Sequence, residues 1–173
     1  MPAPTKTSPI DCVDDHDHPV GTIPRGEALQ AGANFRTVHV FVFHGECLLL
    51  QQLSPKRDRH PERWGSSVAA YLHAGESYEQ AAQRRLDEEL GLQGELHLVG
   101  KTRMHDERSV KFVELYTLFN GPAAIREPDH IEELRYWARD ELEAAIDESP
   151  DSFTPTFLHV FGYFQRHVTI SRR

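Results

Sequence analysis

The chain has 173 residues, 39% of them apolar, which suits one compact domain with a sizeable core and is short for two. A formal charge of −8 at pH 7 argues against nucleic acid and anionic membrane as partners, so a small anionic ligand would need a bridging cation or clustered Arg and Lys. No apolar run approaches about eighteen residues and MPAPTKTSPI lacks an apolar signal core, so neither membrane insertion nor export is expected and a cytoplasmic location follows.

In chain order, residues 1–8 read as a disordered tail. Ile10–Val13 and Val20–Ile23 read as two short strands around DDHDH (Asp14–His18), a run of short polar residues taken as a hairpin turn rather than a metal site. Cys12 and Cys47 have no metal-type spacing and fit a reducing compartment. Glu27–Gln30 is expected as a helical turn before Gly32. The strongest strand signal is TVHVFVF (Thr37–Phe43), in which His39 is expected as a hydrogen-bonded core residue. Through the turn His44-Gly45-Glu46 it should pair with CLLLQ (Cys47–Gln51) as a hairpin. SPKRDRHPER (Ser54–Arg63) is a loop whose Lys56, Arg57, Arg59 and Arg63 serve either solvation or anion binding.

GESYEQAAQRRLDEELGL (Gly75–Leu92) is predicted to be mostly helix. Ser77 is its N-cap, with Gln80 at the capping-box position, Gly91 is its stop, and Ala82, Leu86 and Leu90 form its buried stripe. Glu95–Lys101 and Val110–Phe119 read as strands, Leu134–Trp137 as a short strand and Asp140–Ile146 as a helix. A terminal helix over Thr156–Arg166 carries Phe157, Phe161 and Phe164 as core packing. Strands mixed with helices, without repeat or linker, indicate one α/β or α+β domain over residues 9–173, with the hairpin as its N-terminal extension.

The adjacent carboxylates Glu88 and Glu89 can both reach a cation over the helix end, and Mg²⁺ prefers such oxygens. The same residues fit i,i+4 ion pairs, Arg84 with Glu88 and Arg85 with Glu89. Spacing alone leaves both readings open.

Glu76, Arg84, Leu86, Glu88, Glu89, Gly91 and Leu92 match seven positions of the pattern G-x5-E-x7-R-E-U-x-E-E-x-G-U, where U is bulky and aliphatic. The chain therefore resembles the Nudix family over about residues 9–168, with Pro61 and Trp64 before the box and EELRYW after it in agreement. The resemblance implies a Nudix-type α/β/α sandwich with a mixed central sheet and Mg²⁺-dependent hydrolysis (Mn²⁺ as the alternative) of a small organic diphosphate such as a nucleoside diphosphate derivative. It implies Glu88 and Glu89 as catalytic metal ligands, the Ala70 carbonyl as a further ligand, and Glu76, Arg84 and Gly91 as supports of the box. Arg57 and Lys56 would hold the substrate phosphates. Family members often form homodimers.

The sequence departs from the pattern twice. The first Gly is Ala70, and the Glu after Arg84 is Arg85, which removes one carboxylate and puts a cation beside the expected metal. The base that activates water is then missing from its usual slot, leaving Glu107, Glu114 and Glu132 as candidates. Outside the box the chain is similar to the branch containing isopentenyl diphosphate isomerase. There the isomerase's catalytic Cys is replaced by Ala69 and its adjoining metal His by Tyr71. Its upstream metal histidines fall around Leu29 and Phe35, and a diphosphate-binding Arg falls at Leu53. A Nudix-fold binding module without turnover is the alternative implied by Arg85, and the isomerase is the weaker one.

Overall fold

The computed structural model describes residues 4–119, 123 and 125–171, with side chains to residue 168. Its centre is β3 (Phe35–His44), in which Phe41 and Val42 are fully buried. A strand buried on both faces reads as a near-continuous apolar run, the signature of TVHVFVF. It pairs in parallel with β8 (Ser109–Phe119) and antiparallel with β6 (Val68–Tyr71) and β4 (Cys47–Leu53). The seven-stranded mixed sheet runs β5 (Trp64–Gly65), β4, β3, β8, β7 (His97–Asp106), and β9 (Ile131–Trp137) joins it at β4. The expected hairpin of β3 with β4 is confined to Phe43↔Leu48 and His44↔Cys47, because β6 takes the same edge of β3 from Thr37↔Tyr71 to Val40↔Val68.

Alternate residues of β3 face two helical layers. Val38, Val40 and Val42 meet Ala82, Leu86 and Leu90 of α2 (Tyr78–Leu90); Phe41 meets Leu142 of α3 (Arg139–Glu148) and Phe157 and Phe161 of α4 (Pro155–Ser171). Each fully buried Leu or Phe contributes about 2–3 kcal/mol of transfer free energy. These two cores make the α/β/α sandwich, and among the described residues no helix is long and apolar enough to cross a membrane.

The hairpin of β1 (Pro9–Val13) and β2 (Pro19–Pro24) closes on Asp14, whose Oδ1 accepts from the His16 and His18 amides, so DDHDH is a turn. Asp17 in that turn is buried and pairs with Arg36 and Lys101, and Tyr78 donates to it at 2.8 Å. Of the segment 1–8 expected as a tail, residues 1–3 lie outside the described residues. Residues 4–8 form a turn instead, because the Lys6 and Ser8 carbonyls accept from the Gly26 and Arg25 amides of the chain leaving β2. The helical turn expected at Glu27–Gln30 is α1 (Ala28–Ala31), ended by Gly32 in the left-handed region.

β7 runs well beyond Glu95–Lys101, through the polar KTRMHD. It is an edge strand and pairs with β8 alone, so its outer positions need no apolar side chains.

Candidate active site

α2 carries the box, and both predicted ends hold. Ser77 Oγ accepts from the Gln80 amide while Gln80 Oε1 accepts from the Ser77 amide, and Gly91 closes the helix at φ 65°. Glu76, just before the cap, accepts from Arg84 Nε at 2.8 Å and Arg84 Nη2 at 2.9 Å, and from the His73 amide at 3.0 Å. Burial opposes its charge, but Arg84 and that amide outweigh burial and hold Glu76 below the usual carboxylate range. Arg84 also donates to the Tyr71 carbonyl, so Glu76 and Arg84 brace the turn between β6 and α2.

One turn on, the helix buries charge. Arg85 is 2% exposed and Glu89 0%. Arg85 Nη1 donates to Glu88 Oε2 at 2.6 Å and to Glu127 Oε1 at 3.1 Å, while Nη2 donates to Glu89 Oε1 at 2.5 Å and Glu127 Oε2 at 2.9 Å. Burial pulls the guanidinium down, but Glu89, Glu127 and Glu88 prevail and hold Arg85 above its ordinary range. Glu89 Oε2 accepts from Gln51 Nε2 at 2.9 Å, and His130 Nε2 lies 3.5 Å from Glu89 Oε1. Among the described residues, no group of three or more His, Cys, Asp and Glu side chains is arranged to hold a metal ion. Ala70, the other expected ligand, sits in β6 opposite Val38.

The buried guanidinium forms part of the wall of a cavity of about 740 Å³. Lys6, Arg25, Arg57, Arg59 and Lys111 also face it, against Asp58, Asp106 and Glu107, a cationic excess in a chain of net charge −8. Lys6 pairs with Asp58, and Arg59 and Lys111 both pair with Asp106. Arg25 and Arg57 have no carboxylate ion-pair partner among the described residues. Arg25 lies 5.1 Å over the Tyr71 ring, its Nε buried without a hydrogen bond, and Arg57 Nη1 is 2.6 Å from His130 Nδ1. Burial, then the Arg57 and Arg85 charges, pushes His130 down to about 3. His39, also facing the cavity, donates to or accepts from Ser66 Oγ at 2.7 Å and is pushed to about 3 by burial, Lys111 and His159, so it is the bonded core residue expected.

Lys56 is not part of the cavity wall: it pairs with Asp129 in the open, side chains 74% and 88% exposed. Of the three base candidates, Glu107 faces the cavity from the β7–β8 turn. Glu114 accepts from Tyr116, and Glu132 is exposed outside the cavity. Sequence reasoning missed Arg25, Gln51, Glu127 and His130. Only Gln51, polar at the end of CLLL, left a signal.

Residues 30–157 match the NUDIX domain. The chain belongs to the Nudix family. Nudix hydrolases act on acid anhydrides and generally use divalent metal ions. The chain is 30% identical over 157 residues to isopentenyl-diphosphate Delta-isomerase 2 of Photorhabdus laumondii, covering 87% of this chain and 88% of that protein. A Deinococcus radiodurans crystal structure superposes with TM-score 0.70 at 23% identity, over 82% of this chain and 90% of the other. The Nudix domain of Shewanella oneidensis NrtR, complexed with ADP ribose, superposes with TM-score 0.60 at 18% identity, over 79% and 89%. On α2, Arg85 sits between the carboxylates of Glu88, Glu89 and Glu127. Ala69 lies in the cavity wall, and Tyr71 stacks on Phe35, centroids 5.3 Å apart.

Proposed function

We propose that this Nudix domain binds a small organic diphosphate, such as a nucleoside diphosphate derivative, in the basic cavity and hydrolyses its diphosphate linkage. The observation that carries this reading is the pair Arg25 and Arg57, cations inside the cavity with no carboxylate ion-pair partner among the described residues, in an otherwise acidic chain. Phosphate oxygens accept from guanidinium groups in short, charge-assisted bonds. The ADP ribose complex of the NrtR Nudix domain is of the same ligand class.

In the proposed reaction Arg25 and Arg57 meet the phosphate charge, and Glu107, the base candidate in the cavity wall, takes a proton from water as its oxygen bonds to phosphorus. The bridging P–O bond breaks and its electron pair leaves on the departing phosphate. Mg²⁺, or Mn²⁺, would be expected on Glu88 and Glu89, but both are already bonded to Arg85, so this donor set does not fit a divalent ion and no step is routed through one.

A second reading, ligand binding without turnover, is favoured by that engagement of Glu88 and Glu89. Isomerisation is the weakest, since Ala69 supplies no thiol. Calorimetry and release of phosphate monoester or inorganic phosphate across ADP ribose, other nucleoside diphosphate derivatives, isopentenyl diphosphate and inorganic pyrophosphate separate the three. Binding with release supports hydrolysis, and binding without release supports the second reading. Conversion of isopentenyl diphosphate to its isomer would revive the third, and no binding at all would sink the cavity assignment.

A further inference from the structure

Three carboxylates from two parts of the chain converge on one guanidinium. Glu88 and Glu89 come from successive positions of α2, whereas Glu127 comes from the connection between β8 and β9. Arg85 meets all three with its two terminal nitrogens, and its side chain is 3% exposed. Glu89 is closed off further by the Gln51 amide on its second oxygen. A planar fork of donors suits several carboxylate oxygens at once, which a lysine ammonium could not match.

A Mg²⁺ or Mn²⁺ ion between these carboxylates would need close to six oxygens at about 2.0–2.1 Å in near-octahedral array for the former. It would have to displace Arg85, leaving a buried guanidinium without its partners. It would also strip Glu127 of its hold on α2. The same connection is tied at the Arg126 amide to the Glu89 carbonyl, and at the Ser54 amide to the His130 carbonyl.

We infer that Arg85 is the resident cation of this Nudix carboxylate box: it neutralises Glu88, Glu89 and Glu127 in place of a divalent ion, and the box takes up none. As a positioning residue it also pins the β8–β9 connection so that His130 lies against Arg57 in the cavity wall. The inference concerns the box alone and stands apart from which ligand the cavity holds.

The test is a titration of Mn²⁺ into the full chain, with the free ion followed by electron paramagnetic resonance, for wild type, Arg85→Gln, Glu88→Gln and the double variant. Wild type and Glu88→Gln are expected to leave the free-ion signal alike. Arg85→Gln should gain one bound Mn²⁺ per chain, lost again in the double variant. Stoichiometric uptake by wild type that Glu88→Gln abolishes would overturn the inference. If Arg85→Gln fails to fold, as judged by near-ultraviolet circular dichroism, the comparison of wild type with Glu88→Gln decides alone.

Discussion

Replacing Arg57 with Met should separate ligand affinity from stability. Met keeps much of the apolar stem and removes the charge. Arg57 is held down by burial and faces the cavity beside Arg25, Arg85 and His130, with no carboxylate ion-pair partner among the described residues. A phosphate charge about 4 Å away at an effective dielectric of about 20 is attracted by roughly 4 kcal/mol. Ligand desolvation offsets part of that, leaving about 2–3 kcal/mol, in line with hydrogen bonds to charged groups. At about 1.4 kcal/mol per tenfold, Arg57→Met should weaken a diphosphate by roughly 30- to 150-fold in calorimetry with ADP ribose. The same change removes a desolvated charge, so its effect on Tm should be small, within about 4 °C. Unchanged affinity, or a large fall in Tm with affinity kept, would refute the assignment of Arg57 as a ligand residue.

Glu76→Gln breaks a two-bond pair whose side chains are only about a tenth exposed, so it should cost about 3 kcal/mol and lower Tm by roughly 6–12 °C in calorimetric melting. Ser77→Ala removes the Oγ half of the capping box and should cost about 1 kcal/mol in urea unfolding, with the fold intact by circular dichroism. His39 sits near 3 when folded against an ordinary 6.5, so between those values the unfolded chain binds the extra proton and stability falls as pH falls. At pH 5 the loss from His39 alone is about 2 kcal/mol, from 1.36 kcal/mol per unit over about 1.5 units. Melting from pH 7 to 4 should show this decline beginning near pH 6.5, and a flat profile above pH 5 would contradict the buried neutral imidazole.

The parts of the site legible in the sequence are those set by local spacing. Ser77, Gln80 and Gly91 fix where α2 starts and stops, and Leu86 and Leu90 fix the face it buries. The pairing of Arg85 with Glu89 was also readable, since residues four apart share a helix face. Its burial was not. That depends on Gln51 in β4 and on Glu127, 42 residues beyond Arg85, which the sheet and its connections bring together. The basic loop likewise advertised positive charge without saying which side chains turn inward. Arg57 and Arg59 do, Lys56 runs out to Asp129, and Arg25 arrives from the N-terminal hairpin. β7 reads short in the sequence for a related reason: an edge strand shows half its pattern to water and reads as polar.

The cavity assignment is tested most directly by ³¹P nuclear magnetic resonance of ADP ribose mixed with the wild-type chain. Broadened and shifted diphosphate resonances are predicted, followed by monoester signals as the linkage is cleaved. Diphosphate resonances that stay sharp and unmoved at excess protein, across the same panel of nucleoside diphosphate derivatives, would contradict it.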